Sequence, residues 1–372
     1  MKQQENLIRT PDVLKTHKKK KFHNYVENPK SARCRSSDAA YFRGSRVKVG
    51  IAPFSVCLAV HGRGLVQFYG ACASVWDSVN DKQMEHPMVQ RLLDVKFDTK
   101  RFVSLVTHGG ENFPDKEGRK FIADHFDITI QASILYVLVV FGTKFFMRNR
   151  QPFSLFVPLN IWNFILAAFS IMGMIKLTPE FWNTFFNKGF QNSYCFAYDF
   201  TKGENGYWVF LFIVSKLFEL VDTVFIVLRK RPLMFLHWYH HILTGIYAFY
   251  SHPHTPGFNR YGIYLNYTVH AFMYSYYFLR SMKINVPGFV AKFITTLQIL
   301  QFVISCAILA HIGYLVHIAG VPCDFDDNIF ILATFMDTTY LILFINFFLK
   351  SYVLRGGKAK YQSVQSKSKK MN

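Results

Sequence analysis

Cysteine is sparse in this chain, six residues in 372, too few for a disulfide scaffold. Acidic residues are scarce as well, 23 against 43 lysines and arginines, which leaves a formal net charge of +20. The first 40 residues contain no apolar core, so no cleavable signal peptide is expected. What is plentiful is hydrocarbon and aromatic ring: 51% of the residues are hydrophobic, with 40 phenylalanines and 20 tyrosines. A soluble domain this basic would point to nucleic acid. Here the basic residues gather at both ends and in alternate short connections between apolar runs, which is how a membrane protein is oriented and sets nucleic acid aside.

Crossing a hydrocarbon core of about 30 Å takes ~20 helical residues. Seven apolar segments are long enough, near 128–147, 155–175, 207–228, 233–250, 262–282, 289–316 and 329–352. The fold expected is therefore an all-α integral membrane protein with seven transmembrane helices. Arg148 and Arg150, then Arg229, Lys230 and Arg231, then Arg280 and Lys283 mark one set of loops, and Lys350, Arg355, Lys358 and Lys360 lie at the end of the last span and in the tail. The 317–328 loop is acidic (Asp324, Asp326, Asp327) and the 176–206 loop is roughly balanced. Positive and non-positive loops alternate, so the C-terminus is expected in the cytosol and the segment before residue 128 in the lumen.

Several boundaries follow. Residues 1–83 carry the charge run Lys15–Lys21 and a Ser/Arg/Gly-rich stretch, and read as a basic, disordered extension. Residues 84–127 interleave Met88, Leu92, Leu93 and Val95 with charges and read as a lumenal amphipathic segment, 128–352 as the seven-span domain and 353–372 as a basic cytosolic tail. Lys369 and Lys370 stand fourth and third from the end, where they resemble a dilysine retrieval signal for the endoplasmic reticulum; a solvated, lipid-facing end is the alternative. Cys195 and Cys323 fall on loops of the same, oxidising face, so a disulfide between them is expected, with two free thiols as the alternative.

Ionisable groups inside spans mark a functional site. Asp222 is seven residues before Arg229, about 10 Å deep, and His240 and His241 lie about 14 Å past Arg231. His270 is about 15 Å from Arg280, and Gln298 and Gln301 about 9–14 Å past Lys292. Four antiparallel helices thus bring polar residues to one level. Lys216, Glu219 and Asp222/Thr223 follow i, i+3, i+6/i+7 along one stripe, and His237 with His240 or His241, and Asn266 with His270, Tyr274 and Tyr277, repeat the pattern. Hydrogen-bonded glue between helices accounts for Thr295, Gln298 and Lys216, and in part for Glu219, but poorly for three histidines in five residues facing a fourth. Trp238 and Tyr274, Tyr276 and Tyr277 read as packing and tunnel wall rather than chemistry.

These motifs, Lys216-x-x-Glu219-x-x-Asp222-Thr223, His237-x-x-His240-His241, Asn266-x3-His270-x2-Met273-Tyr274-x-Tyr276-Tyr277 and Thr295-x-x-Gln298-x-x-Gln301, resemble the signatures of the very-long-chain fatty acid elongase (ELO) family. The resemblance covers about 85–352, leaves 1–83 unexplained and is strongest to nematode long-chain and polyunsaturated elongases. It implies a 3-oxoacyl-CoA synthase of the endoplasmic reticulum membrane, condensing acyl-CoA with malonyl-CoA and releasing CO2 and CoA. The last six helices would form a closed-ended bundle around an acyl tunnel. No cofactor or metal is implied. The partners would be the 3-oxoacyl-CoA reductase, dehydratase and enoyl-CoA reductase of the cycle, with a homo-oligomer also allowed.

The only cysteine in a predicted span is Cys306, about 21 Å past Lys292 and far from the polar level. Imidazole is then the group able to attack a thioester at neutral pH. His240 is expected to be the nucleophile, Asp222 to fix its tautomer, His241 and His237 to assist, and His270 with Asn266 to stabilise the oxyanion and enolate. The rival is a one-step condensation with histidine as base. Lys216, Glu219, Thr223, Tyr274, Tyr277, Gln298 and Gln301 are the supporting set. Arg229, Lys230, Arg231, Arg280, Lys283 and Lys292 could meet the CoA phosphates, although orienting the spans explains them fully. A membrane di-iron desaturase or hydroxylase is the alternative enzyme, since it also uses a His-x-x-His-His box, but it needs about eight histidines in three boxes. A seven-span receptor or transporter leaves the motif cluster without a purpose. The sequon at Asn266 lies mid-span and should be unmodified.

Overall fold

The structure, a computed structural model, describes residues 96–354. The expected extension over 1–83 and the retrieval signal at Lys369 and Lys370 lie outside the described residues. Regular structure among the described residues is entirely helical. The part of the amphipathic segment that is described holds α1 (Thr99–Thr107) and α2 (Asp115–Asp124), and the Asp98 carboxylate caps α1 by accepting from the Arg101 amide. There follow α3 (Phe126–Phe146), α4 (Phe156–Asn187), the short α5 (Phe190–Cys195), α6 (Gly203–Glu219), α7 (Val221–Leu228), α8 (Phe235–Ser251), α9 (Asn259–Ser281), α10 (Gly288–His317) and α11 (Asp327–Phe348).

Four helical stretches are long and apolar enough to cross a membrane: Phe126–Asn149, Phe156–Asn187, Gly288–His317 and Asp327–Val353. The other three predicted spans are also helical, but a break, a shorter length or polar residues set them apart from these four. The third is divided at Leu220 into α6 and α7, α8 has 17 residues and carries the three histidines, and α9 holds Arg260, Asn266, His270 and Arg280. The second span was expected to stop near 175, yet α4 runs on to Asn187 through Pro179. A proline forfeits one helical hydrogen bond. Burial of Leu177, Phe181 and Thr184 holds the helix beyond it, so much of the expected 176–206 loop is helix.

The longest helix, α4, packs most extensively on α9, where Gly173 lets Tyr267 approach so closely that a Cβ would fall 2.3 Å from the ring. α9 packs on α10, α10 on α11, α11 on α8, α8 on α6, and α6 on α4; α3 packs on α7 and α8. Phe156, Ile161, Phe164, Ile165 and Phe186 of α4 are exposed, as suits a lipid-facing surface.

Cys195 and Cys323 are disulfide-bonded as expected. Beside them Arg260, 0% exposed, donates to Glu180 through Nε at 3.2 Å and Nη2 at 2.9 Å, and to the carbonyls of Ser193, Phe196 and Ala197. One guanidinium thereby ties α4, α5 and the chain after α5 to the start of α9, with its donors turned to carboxylate and carbonyl oxygens.

Candidate active site

The predicted stripe on the third span divides. Lys216 (3% exposed) and Glu219 (4%) face the interior, where Lys216 Nζ donates to Glu219 Oε1 at 2.7 Å and to Asn266 Oδ1 at 3.0 Å. Thr223, past the break at Leu220, turns to α3 and shares a 2.7 Å hydrogen bond with the Tyr136 hydroxyl. Asp222 accepts from Trp162 Nε1 at 2.5 Å and from Tyr274 OH at 2.7 Å. The carboxylate expected to fix an imidazole is therefore held by a tryptophan of α4 and a tyrosine of α9.

Glu219 takes the place beside a histidine, its Oε1 3.8 Å from His270 Nδ1. Asn266 Nδ2 lies 3.3 Å from His270 Nε2, one helical turn along α9. Because Lys216 occupies the amide oxygen, the amide nitrogen is the donor and His270 Nε2 the acceptor. The neutral ring then carries its proton on Nδ1, facing Glu219. Lys216, Glu219, Asn266 and His270 form one chain of polar contacts between α6 and α9.

The three histidines of α8 stand together. The His237 and His241 rings lie 4.6 Å apart edge-on, and His240 is 5.7 Å from His241 and 4.7 Å from the Tyr340 ring of α11. Tyr340 donates to the His240 carbonyl at 3.1 Å and lies 2.9 Å from the Thr244 hydroxyl, fixing this turn of α8 against α11. His237 Nε2 is buried with no hydrogen-bond partner among the described residues. Gln298 donates to Met273 Sδ at 3.3 Å and so packs on α9, while Tyr277 packs beside Tyr274 and Tyr276. Trp238 packs between Phe141 and Phe235, as expected of a wall residue.

A cavity with about 70 Å³ of room lies beside His240 and extends toward the disulfide end, where Ser251, Phe258 and Asn259 line it. Of the predicted site residues, His240, Asn266 and Gln301 line it. His270 is not among the lining residues and contacts Asn266 instead. Among the described residues no group of three or more His, Cys, Asp or Glu side chains could hold a metal ion.

Sequence reasoning missed Trp162, Tyr340 and Asp337. Asp337 carried the same signal as Asp222, an acidic residue inside an apolar span, and it lines the cavity. Trp162 and Tyr340 gave no signal, because an aromatic residue in a span is ordinary.

Residues 121–360 match the family model described as ELO, the GNS1/SUR4 family. The chain is 76% identical over 283 residues to long chain fatty acid elongase 1 of Caenorhabditis elegans, covering 76% of this chain and 98% of that relative. It is 40% identical over 248 residues to very long chain fatty acid elongase 6 of Drosophila melanogaster, covering 66% of this chain and 78% of the relative. Very long chain fatty acid elongase 6 of Gallus gallus is 34% identical over 252 residues, with 67% and 94% covered.

Proposed function

The chain belongs to the ELO family and is a fatty acid elongase, the condensing enzyme that joins an acyl-CoA to malonyl-CoA, and we propose that it does so through His240. The observation that carries this is the place of His240 in the wall of the internal cavity, with Asn266 in the same wall. The di-iron alternative is not favoured, since the matched relatives are elongases.

In this mechanism an imidazole nitrogen of His240 attacks the thioester carbonyl. The tetrahedral intermediate collapses with breakage of the C–S bond, and CoA leaves as the thiol with the proton released from the ring. The product is an acyl-imidazole. Malonyl-CoA then loses CO2, the electron pair of the broken C–C bond forms a thioester enolate, and its carbon attacks the acyl carbonyl. Expulsion of His240, whose ring nitrogen takes up a proton from water as the C–N bond breaks, leaves 3-oxoacyl-CoA, two carbons longer. The second Nδ2–H of Asn266 donates to the oxyanion and the enolate, held in place by Lys216 and His270. Glu219 holds the charge of Lys216 and the tautomer of His270. Asp222 clamps Tyr274 beside His270, whose ring it meets edge-on at 5.2 Å.

The finer architecture belongs to the same proposal: seven spans, the last six closed around an acyl tunnel. The cyclic packing order α4, α9, α10, α11, α8, α6 and back to α4 supports it. Alternation of basic loops supports a cytosolic C-terminus, and the terminal lysines support residence in the endoplasmic reticulum. The two CoA substrates suffice without a cofactor. The reductases and dehydratase that act on a 3-oxoacyl-CoA are the expected partners.

Purified protein incubated with an acyl-CoA, without malonyl-CoA, tests the covalent step by intact mass spectrometry. The expected result is one added acyl group that maps to His240 and is lost in His240→Ala. Formation of 3-oxoacyl-CoA on adding malonyl-CoA, with no adduct beforehand, would replace the covalent route by direct condensation. Absence of product across acyl lengths would overturn the reading.

A further inference from the structure

A tunnel for plain hydrocarbon should have an apolar wall. Phe212, Ile213, Ala248 and Ile263 make part of this cavity apolar, but polar groups of α8, α9, α10 and α11 line it as well. Some polar wall groups satisfy one another: Tyr247 donates to Asn259 at 2.5 Å, and Asn259 to Ser251 at 3.0 Å. Gln301, Ser305 and Asp337 also line the cavity, and none of the three forms a side-chain hydrogen bond with another described residue. Gln301 and Ser305 are one turn apart on α10, and Asp337 stands on α11, which packs against it. Gln301 and Ser305 are buried and Asp337 is half-buried; buried polar groups are nearly always bonded, so this patch calls for a partner.

The partner must both donate and accept, because the carboxylate accepts while the amide nitrogen and the serine hydroxyl can donate. A ketone would only accept, leaving Asp337 bare. The residues lining the cavity include no lysine or arginine to answer an anion. Asp337 precedes Tyr340 by three residues, about 4.5 Å along α11, and Tyr340 touches His240. The polar patch therefore borders the chain beyond the reacting carbonyl, short of the closed end.

We propose that Asp337, Ser305 and Gln301 form a subsite for a hydroxyl group on the acyl chain, so that this elongase accepts mid-chain hydroxyacyl-CoAs. The proposal rests on the reading of this cavity as the acyl site. The test compares 3-oxoacyl-CoA formation from unsubstituted acyl-CoA with that from chains of equal length hydroxylated at successive positions, including the terminal carbon. One mid-chain position should equal or exceed the unsubstituted chain in kcat/KM, with the terminal alcohol well below. Asp337→Leu should lower the hydroxylated-to-unsubstituted ratio at least about tenfold, and Asp337→Asn, which still hydrogen-bonds, should lower it less. A wild-type enzyme that disfavours every hydroxylated chain would overturn the proposal, the patch then holding water only, and that result needs no variant to fold. A ratio unchanged in a folded Asp337→Leu protein would overturn it too. Failure with the unsubstituted chain as well would instead refute the elongase reading on which it rests.

Discussion

Lys216 Nζ donates to Glu219 Oε1 at 2.7 Å, and both side chains are almost wholly withdrawn from the surface. An ion pair this deep is a poor source of stability as a unit, but losing one partner strands a buried charge. Lys216→Met or Glu219→Gln alone should cost about 3–5 kcal/mol. The double variant Lys216→Met/Glu219→Leu should recover much of that stability while remaining inactive, since Asn266 and His270 lose their orienting contacts. Thermal unfolding in detergent, paired with condensation assays, separates the two effects.

At Gly173 of α4 the Tyr267 ring of α9 occupies the space a Cβ would need. Tyr267 cannot retreat, because it is buried and its hydroxyl donates to the Trp208 carbonyl at 2.9 Å. Gly173→Val should therefore destabilise by about 1–3 kcal/mol through overpacking. Gly245→Ala, whose nearest contact would be Thr129 at an ordinary 3.9 Å, is the matched control and should change the unfolding midpoint little.

Arg260→Met leaves Glu180 buried without its cation and releases three backbone carbonyls. A loss of about 3–5 kcal/mol is expected. Arg260→Lys should restore only part of it, because a point charge cannot reproduce the planar fork. Chemical denaturation with the disulfide intact measures both.

His252, in the turn after α8, is pushed down to about 3 by burial and by the nearby Arg119 charge. Unfolded, a histidine titrates near ~6.5. The unfolded state therefore takes up the proton first, so this contribution is complete above about pH 6.5 and is lost as pH falls toward 3. The unfolding midpoint should be lower at pH 5 than at pH 7.5, and His252→Gln should flatten that slope.

Much of the fold was legible because helical period and apolar length are local properties. Helices lie over all seven apolar segments, and the Cys195–Cys323 bond follows from two loops on one face. The end of α4 was missed because the apolar run gives way to Lys176 and the segment after it is mixed in character, and only packing of Leu177 and Phe181 carries the helix on. The histidine cluster was legible since i, i+3 and i+4 spacing places side chains on one face whatever the tertiary context.

The sequence alone therefore determined which residues share a helix face and which spans carry charge. It did not determine how each helix is rotated about its axis. The interruption at Leu220 swings Asp222 to Trp162 and Tyr274 and Thr223 to Tyr136, while Glu219, one turn earlier, stays with His270. That rotation is set by contacts between residues some 50 to 90 positions apart, which local spacing does not encode. The same long-range packing put Asn266 rather than His270 in the cavity wall, and brought Asp337 beside the path from His240.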